Sequence, residues 1–104
     1  MNLGGIKVSS IQLEELINAL DFVKESAAIA VSPDGGGPSK LVVCLVENAS
    51  NWTEDEKLQQ IRLLVRQKLN PLFKVESIAT LEKLPRTASG KVMRRKLRDQ
   101  FKTT

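Results

Sequence analysis

Apolar side chains recur at helical spacing early in the chain, at Leu13, Leu16, Ile17 and Leu20. Ser9 followed by Gln12 has the spacing of a capping box and places the helix start there. The pattern predicts Glu14, Glu15 and Asn18 outward and an end at Asp21-Phe22. Val23 to Val31, rich in Ala and β-branched residues, then reads as a strand that stops at Ser32-Pro33-Asp34-Gly35-Gly36-Gly37-Pro38. Lys40 to Glu47 is apolar through its middle, the pattern of a central strand buried on both faces. Thr53-Glu54-Asp55-Glu56 is a second capping box with acids in the first turn, where the helix dipole favours them. Leu58, Ile61, Leu64, Val65 and Leu69 form the inner stripe of its helix, Arg66 and Lys68 occupy the last turn, and Pro71 stops it. A third strand follows over Val75 to Leu81. Val92 to Phe101 completes the pattern as a helix anchored by Met93, Leu97 and Phe101, with Arg94, Arg95 and Arg98 turned away.

Strand, helix, strand implies a parallel pair with a right-handed crossover, whereas the glycine-rich connection makes the first pair antiparallel. The expected fold is α/β (α+β): a small mixed three-stranded sheet flanked by helices, with a short N-terminal hairpin, in one domain over residues 1–104. Three Phe, one Trp and no Tyr leave an aliphatic core. The absence of His excludes His-based triads, His general bases and His metal sites. The single cysteine, Cys44, forms no intramolecular disulfide, and its apolar neighbours predict a buried, inert thiol. No apolar run approaches the ~20 residues of a membrane helix, and no secretory leader pattern opens the chain. These features predict a soluble intracellular protein, cytoplasmic or organellar, with peroxisome and mitochondrion both open.

Charge divides the chain. Residues 1–82 carry 8 basic and 11 acidic side chains, and residues 83–104 carry 8 and 1. A basic tail on an acidic body suits an anionic partner, nucleotide phosphates or nucleic acid, and equally a solvated helix face. Adjacent Gly4 and Gly5 permit positive φ and close approach of a ligand or another backbone, and a plain hairpin turn explains them as well. Gly35 to Gly37 lack a following Gly-Lys-Ser/Thr, so they are a hairpin loop and not a P-loop.

The stretch Leu84-Pro85-Arg86-Thr87-Ala88-Ser89-Gly90-Lys91-Val92-Met93-Arg94 carries the chemistry. It resembles the C-terminal signature loop of the adenylate-forming enzymes: acyl- and acetyl-CoA synthetases, luciferase and adenylation domains. Pro85, Thr87, Ser89, Gly90 and Lys91 match the pattern Pro-x-Thr-x-Ser-Gly-Lys, and Arg94 fits the basic residue that follows it. The opening stretch resembles the same family's Gly-x-(Arg/Lys)-(Ile/Leu/Val) loop through Gly5, Lys7 and Val8. Glu14 falls at the second Glu of its Glu-Ile-Glu, and Gln12 replaces the first.

The resemblance implies the C-terminal lid domain of an ATP-dependent acid–CoA ligase, with an N-terminal adenylation domain as partner and a carboxylic acid as substrate. Lys91 is then the catalytic lysine of adenylation. Gly4, Gly5, Lys7, Ser89, Gly90 and Arg94 are cofactor-binding candidates, and no residue is a metal ligand. ATP, coenzyme A and Mg2+ are the implied cofactors, held mainly with the N-terminal domain. For Arg94 and Arg95, phosphate contact, interface contact and solvation stay open, as do the acid's identity and a carrier-protein acceptor. Bringing a carboxylate up to the α-phosphorus of ATP requires a cation between two anions, and lysine supplies one on a flexible stem. The alternative from another class is a small basic nucleic-acid-binding module using Lys91 to Lys102. That segment has no aromatics interleaved for base stacking.

Overall fold

Thr53 starts the longest helix, as its sequence predicts. Its Oγ1 accepts from Glu56 N at 3.2 Å, and Glu56 Oε1 accepts from Thr53 N at 3.0 Å, so two otherwise orphaned donors are satisfied reciprocally. Ser9 supplies the simpler cap of the first helix, its Oγ accepting from Gln12 N at 3.3 Å. In the computed structural model residues 2–3, 6–7, 9–31, 40–69 and 74–102 are described. The elements are β1 (Asn2–Leu3), β2 (Ile6–Lys7), α1 (Ser10–Ile17), β3 (Val23–Val31), β4 (Lys40–Glu47), α2 (Glu54–Lys68), β5 (Val75–Thr80) and α3 (Arg94–Lys102). Gly4, Gly5, Val8, the loop 32–38 and the segment 70–73 lie outside the described residues, as does the Phe101 side chain.

The main sheet has the order β3-β4-β5, antiparallel then parallel, and β1 pairs with β2 as a separate antiparallel hairpin. This is the predicted mixed three-stranded sheet with a short N-terminal hairpin. Because side chains alternate across a strand, β4 feeds two cores at once. Leu41, Val43 and Leu45 face one side with Leu13 and Ile17 of α1, Ile61 and Val65 of α2, and Phe22. Val42, Cys44 and Val46 face the other with Ala27, Ile29, Leu84 and Leu97 of α3. A register irregularity between Leu41 and Val42 lets Val75 and Ile78 both join the first core although they are three apart.

The first helix is shorter than its pattern predicts. It closes at Asn18, whose N–H bonds Glu14 O at 2.8 Å, and continues as tighter turns through Ala19 N to Leu16 O and Leu20 N to Ile17 O. Buried Phe22 then packs in the first core, with Trp52 tilted against it at 5.9 Å between ring centroids.

Lys57 is the buried charge that periodicity missed. Its side chain is 10 % exposed and pairs with Glu47, itself 13 % exposed, with Glu54 at 3.4 Å. Thr80 Oγ1 donates to the same Glu47 at 2.5 Å. Burial acts to raise the Glu47 carboxyl, but the Lys57 and Thr80 hydrogen bonds outweigh it and hold it below 4.5. The Lys57 ammonium is raised above 10.5, first by its hydrogen bond to Glu47. Burial alone pushes the Cys44 thiol from 9.0 to about 11. The depressed Glu47 stabilises the fold above pH 4.5 and ceases to as pH falls below it. Raised Cys44 works the other way: between pH 9 and about 11 the unfolded chain loses a proton that the fold retains. Thermal stability is therefore expected to plateau at neutral pH and to lose up to about 3 kcal/mol from Cys44 across the alkaline window. Melting curves of wild type and Cys44→Ala check this, because the variant should lack that alkaline slope.

Candidate functional site

Leu84 is buried at one end of the segment 85–93, and Val92 packs at the other beside fully buried Leu97. Between these anchors the backbone pairs with itself. Arg86 and Val92 form an antiparallel bridge, Met93 N donates to Pro85 O at 2.8 Å, and Thr87 N donates to Lys91 O at 2.8 Å. Gly90 N returns to Thr87 O at 2.9 Å, and Gly90 has φ +89°. This is a three-residue hairpin loop, Ala88-Ser89-Gly90, with its left-handed residue third. Gly90 alone among the described residues has positive φ. Beyond its chain neighbours no atom lies within 4 Å of where a Cβ would sit, so backbone conformation and not crowding demands glycine. Hydroxyls complete the turn: Thr87 Oγ1 accepts from Lys91 N at 3.2 Å and lies 2.9 Å from Ser89 Oγ.

The loop holds Lys91 up to solvent. Its side chain is exposed and has no ion pair among the described residues. Two neighbouring arginines are committed elsewhere. Arg86 donates through Nη1 to Gly90 O at 2.7 Å and through Nη2 to Glu25 Oε1 at 2.5 Å. Arg94, expected to point outward, turns inward. Its Nη2 donates to Glu14 at 2.5 and 2.7 Å and its Nε at 3.2 Å. Glu14 Oε2 also accepts from Ala28 N on β3 at 2.8 Å, so one carboxylate joins α1, β3 and α3. Asn18 is exposed, as its spacing predicts, and also accepts at Oδ1 from Ser26 Oγ at 2.7 Å. Arg95 and Arg98 are exposed on α3, as their spacing predicts.

Of the sequence-predicted residues, Ser89, Gly90 and Lys91 share one turn, and Arg94 opens the helix behind it. Lys7 lies in β2, paired with Asn2, and Gly4 and Gly5 fall outside the described residues. Sequence reasoning missed Arg86 and Glu25, and gave Glu14 no structural part. Arg86 occupies the unspecified position of Pro-x-Thr, which carries no signal of its own. No group of three or more His, Cys, Asp or Glu among the described residues could hold a metal ion. Among the described residues no helix is long and apolar enough to cross a membrane.

Hexanoyl-CoA synthase of Cannabis sativa is 51 % identical over 106 residues, covering 97 % of this chain and 15 % of the relative. Probable acyl-activating enzyme 17, peroxisomal, of Arabidopsis thaliana is 47 % identical, covering all of this chain and 15 % of its own length. This chain thus spans about a seventh of the curated relatives it matches. Among solved structures, the anthranilate CoA ligase AuaEII in complex with anthranoyl-AMP superposes with TM-score 0.83 at 25 % identity, over 98 % of this chain and 20 % of that one. A Brucella canis acyl-CoA synthetase, at 20 % identity and TM-score 0.83 over 95 % of this chain and 18 % of that one, shares the fold. The family model described as AMP-binding enzyme C-terminal domain matches residues 12–91, ending on the lysine of the exposed turn. On that match and these relatives, the chain belongs to the family of AMP-binding enzyme C-terminal domains.

Proposed function

We propose that the chain is the mobile C-terminal domain of an ATP-dependent acid–CoA ligase and supplies its adenylation lysine. The carrying observation is Lys91: an exposed cation, without an ion pair among the described residues, rooted in a turn that is anchored at both ends. In the reaction a carboxylate oxygen of the acid attacks the α-phosphorus of ATP, that P–O bond forms, and the bond to pyrophosphate breaks. Thiol sulfur of coenzyme A then attacks the acyl carbon, giving the thioester and AMP. Lys91 Nζ serves the first step by lying between the two approaching anions and offsetting charge on the phosphoryl oxygens. Ser89 and Gly90 shape the turn that delivers it. Arg94 keeps only Nη1 for a phosphate, since Nε and Nη2 are bound to Glu14. Gly4, Gly5 and Lys7 are assigned to the thioester step through the resemblance of their loop.

Mg2+ bound with ATP would neutralise phosphate charge. The described residues do not fit a site for it, so the proposal places it with the phosphates and the N-terminal domain. Names among the relatives, hexanoyl-CoA synthase and acetyl-coenzyme A synthetase, favour an aliphatic carboxylic acid and coenzyme A as acceptor. Peroxisomal and mitochondrial relatives favour an organellar or cytoplasmic setting. The nucleic-acid alternative has no support: the relatives are acyl-activating enzymes, and Arg94, counted in its basic arm, is bound to Glu14.

The isolated 104-residue chain is expected to show no acid-dependent pyrophosphate exchange, and to support it when joined to an adenylation domain of the family. Exchange by the isolated chain would overturn the proposal.

A further inference from the structure

Lysine's long stem delivers its charge accurately only if the backbone at its root is fixed. The root of Lys91 is the peptide unit joining Gly90 to Lys91, and that unit is planar, so its C=O and N–H turn together. Gly90, the residue ahead of it, has the widest backbone freedom of any residue type. Here both ends of the peptide are held: the N–H by Thr87 Oγ1 at 3.2 Å, the C=O by Arg86 Nη1 at 2.7 Å. The Thr87 bond is internal to the turn and does not itself reach the sheet. Among the described residues, Arg86 is the side chain that ties this peptide to the sheet, because its Nη2 ends on Glu25 of β3 at 2.5 Å.

We infer that Arg86, clamped between Glu25 and the Gly90 carbonyl, is a positioning residue for adenylation that fixes the direction in which Lys91 leaves the turn. The inference rests on the reading of Lys91 as the adenylation lysine. A stabilising role explains the geometry less well. The side chains of Arg86 and Glu25 are 40 % and 35 % exposed, and exposed pairs of this kind contribute little to stability. Guanidinium is needed for the clamp, since one planar fork spans both acceptors and a single ammonium cannot.

The test uses the enzyme formed by this chain and its adenylation domain, with the two half-reactions assayed apart. Arg86→Met and Arg86→Lys are each expected to slow acid-dependent pyrophosphate exchange about 10- to 100-fold, the scale of a small misplacement of a reacting group. The KM for ATP, the melting midpoint and thioester formation from supplied acyl-adenylate should change little. The swap Glu25→Arg with Arg86→Glu keeps an ion pair but puts no donor on the Gly90 carbonyl, so adenylation should stay slow. Retained adenylation in Arg86→Met beside a dead Lys91→Ala enzyme would overturn the inference alone. Equal loss in both half-reactions together with a lowered melting midpoint would make Arg86 structural, which also overturns it. Full recovery in the swap would reduce its role to a tether and remove the clamp. An unaffected Lys91→Ala enzyme would instead bring down the reading of Lys91, and the positioning role with it.

Discussion

Replacing Lys91 by alanine is expected to slow acyl-adenylate formation by about 10²- to 10³-fold or more, the usual cost of removing a charge-stabilising donor from a transition state. The fold should not notice. Lys91 is exposed, without an ion pair among the described residues, and only its backbone takes part in the turn. Folding stability and catalysis are therefore separable at this position, which makes the variant informative. Thioester formation from supplied acyl-adenylate should persist, since that step involves no attack on phosphorus. Gly5→Leu in the opening loop should show the opposite pattern, crowding the approach of coenzyme A while sparing pyrophosphate exchange. Parallel assays of exchange and thioester formation decide the matter. Equal loss of both in Lys91→Ala would identify Lys91 as a shared binding residue and end the division of labour between the loops.

The sheet was legible because each strand carries its own signal. β4 is an unbroken apolar run, and the glycine-rich connection before it implies a hairpin; β3 and β4 pair antiparallel accordingly. Thr53-Glu54-Asp55-Glu56 announced α2 through local hydrogen-bond chemistry that needs no distant partner. The turn of the lysine loop was partly legible. Its motif places Thr87, Ser89, Gly90 and Lys91 together, but the positive φ that requires glycine at Gly90 and the Thr87 hydroxyl's bond to the Lys91 N–H emerge only from the closed turn.

What stayed hidden depends on partners far away along the chain. A helical wheel sends every charge outward by default, which fails for Glu14, Lys57 and Arg94 alike. Lys57 is buried because Glu47 closes β4 beside the start of α2. Nothing within one helical turn of it could reveal that. Arg86 is hidden differently: its two acceptors are a carbonyl and a residue 61 positions earlier, so only the closed loop brings them together. Arg86 thus contacts the turn at the Gly90 carbonyl while occupying a position its motif leaves unspecified.

Glu14→Leu is expected to cost about 2–3 kcal/mol of stability, a fall on the order of 15 °C in melting midpoint for a domain of this size. Glu14 is 12 % exposed and Arg94 29 % exposed, so removing the carboxylate strands a largely desolvated guanidinium and leaves the Ala28 N–H on the edge of β3 without its acceptor. The estimate sits below the 3–5 kcal/mol typical of fully buried pairs because water still reaches part of Arg94. Glu14→Gln keeps one acceptor oxygen of the same reach and should lose roughly half as much. The double variant Glu14→Leu, Arg94→Met removes both charges and should recover much of the loss, the coupling that distinguishes a paired site from two independent ones. Chemical denaturation of wild type, these three variants and the single Arg94→Met variant measures it. Single-variant losses below about 0.5 kcal/mol, the range of ordinary surface substitutions, would show the pair to be incidental. Arg94 would then be free to act as a phosphate contact. If the coupling is found, Arg94 holds α3 to α1 and β3, and with it the C-terminal root of the lysine loop.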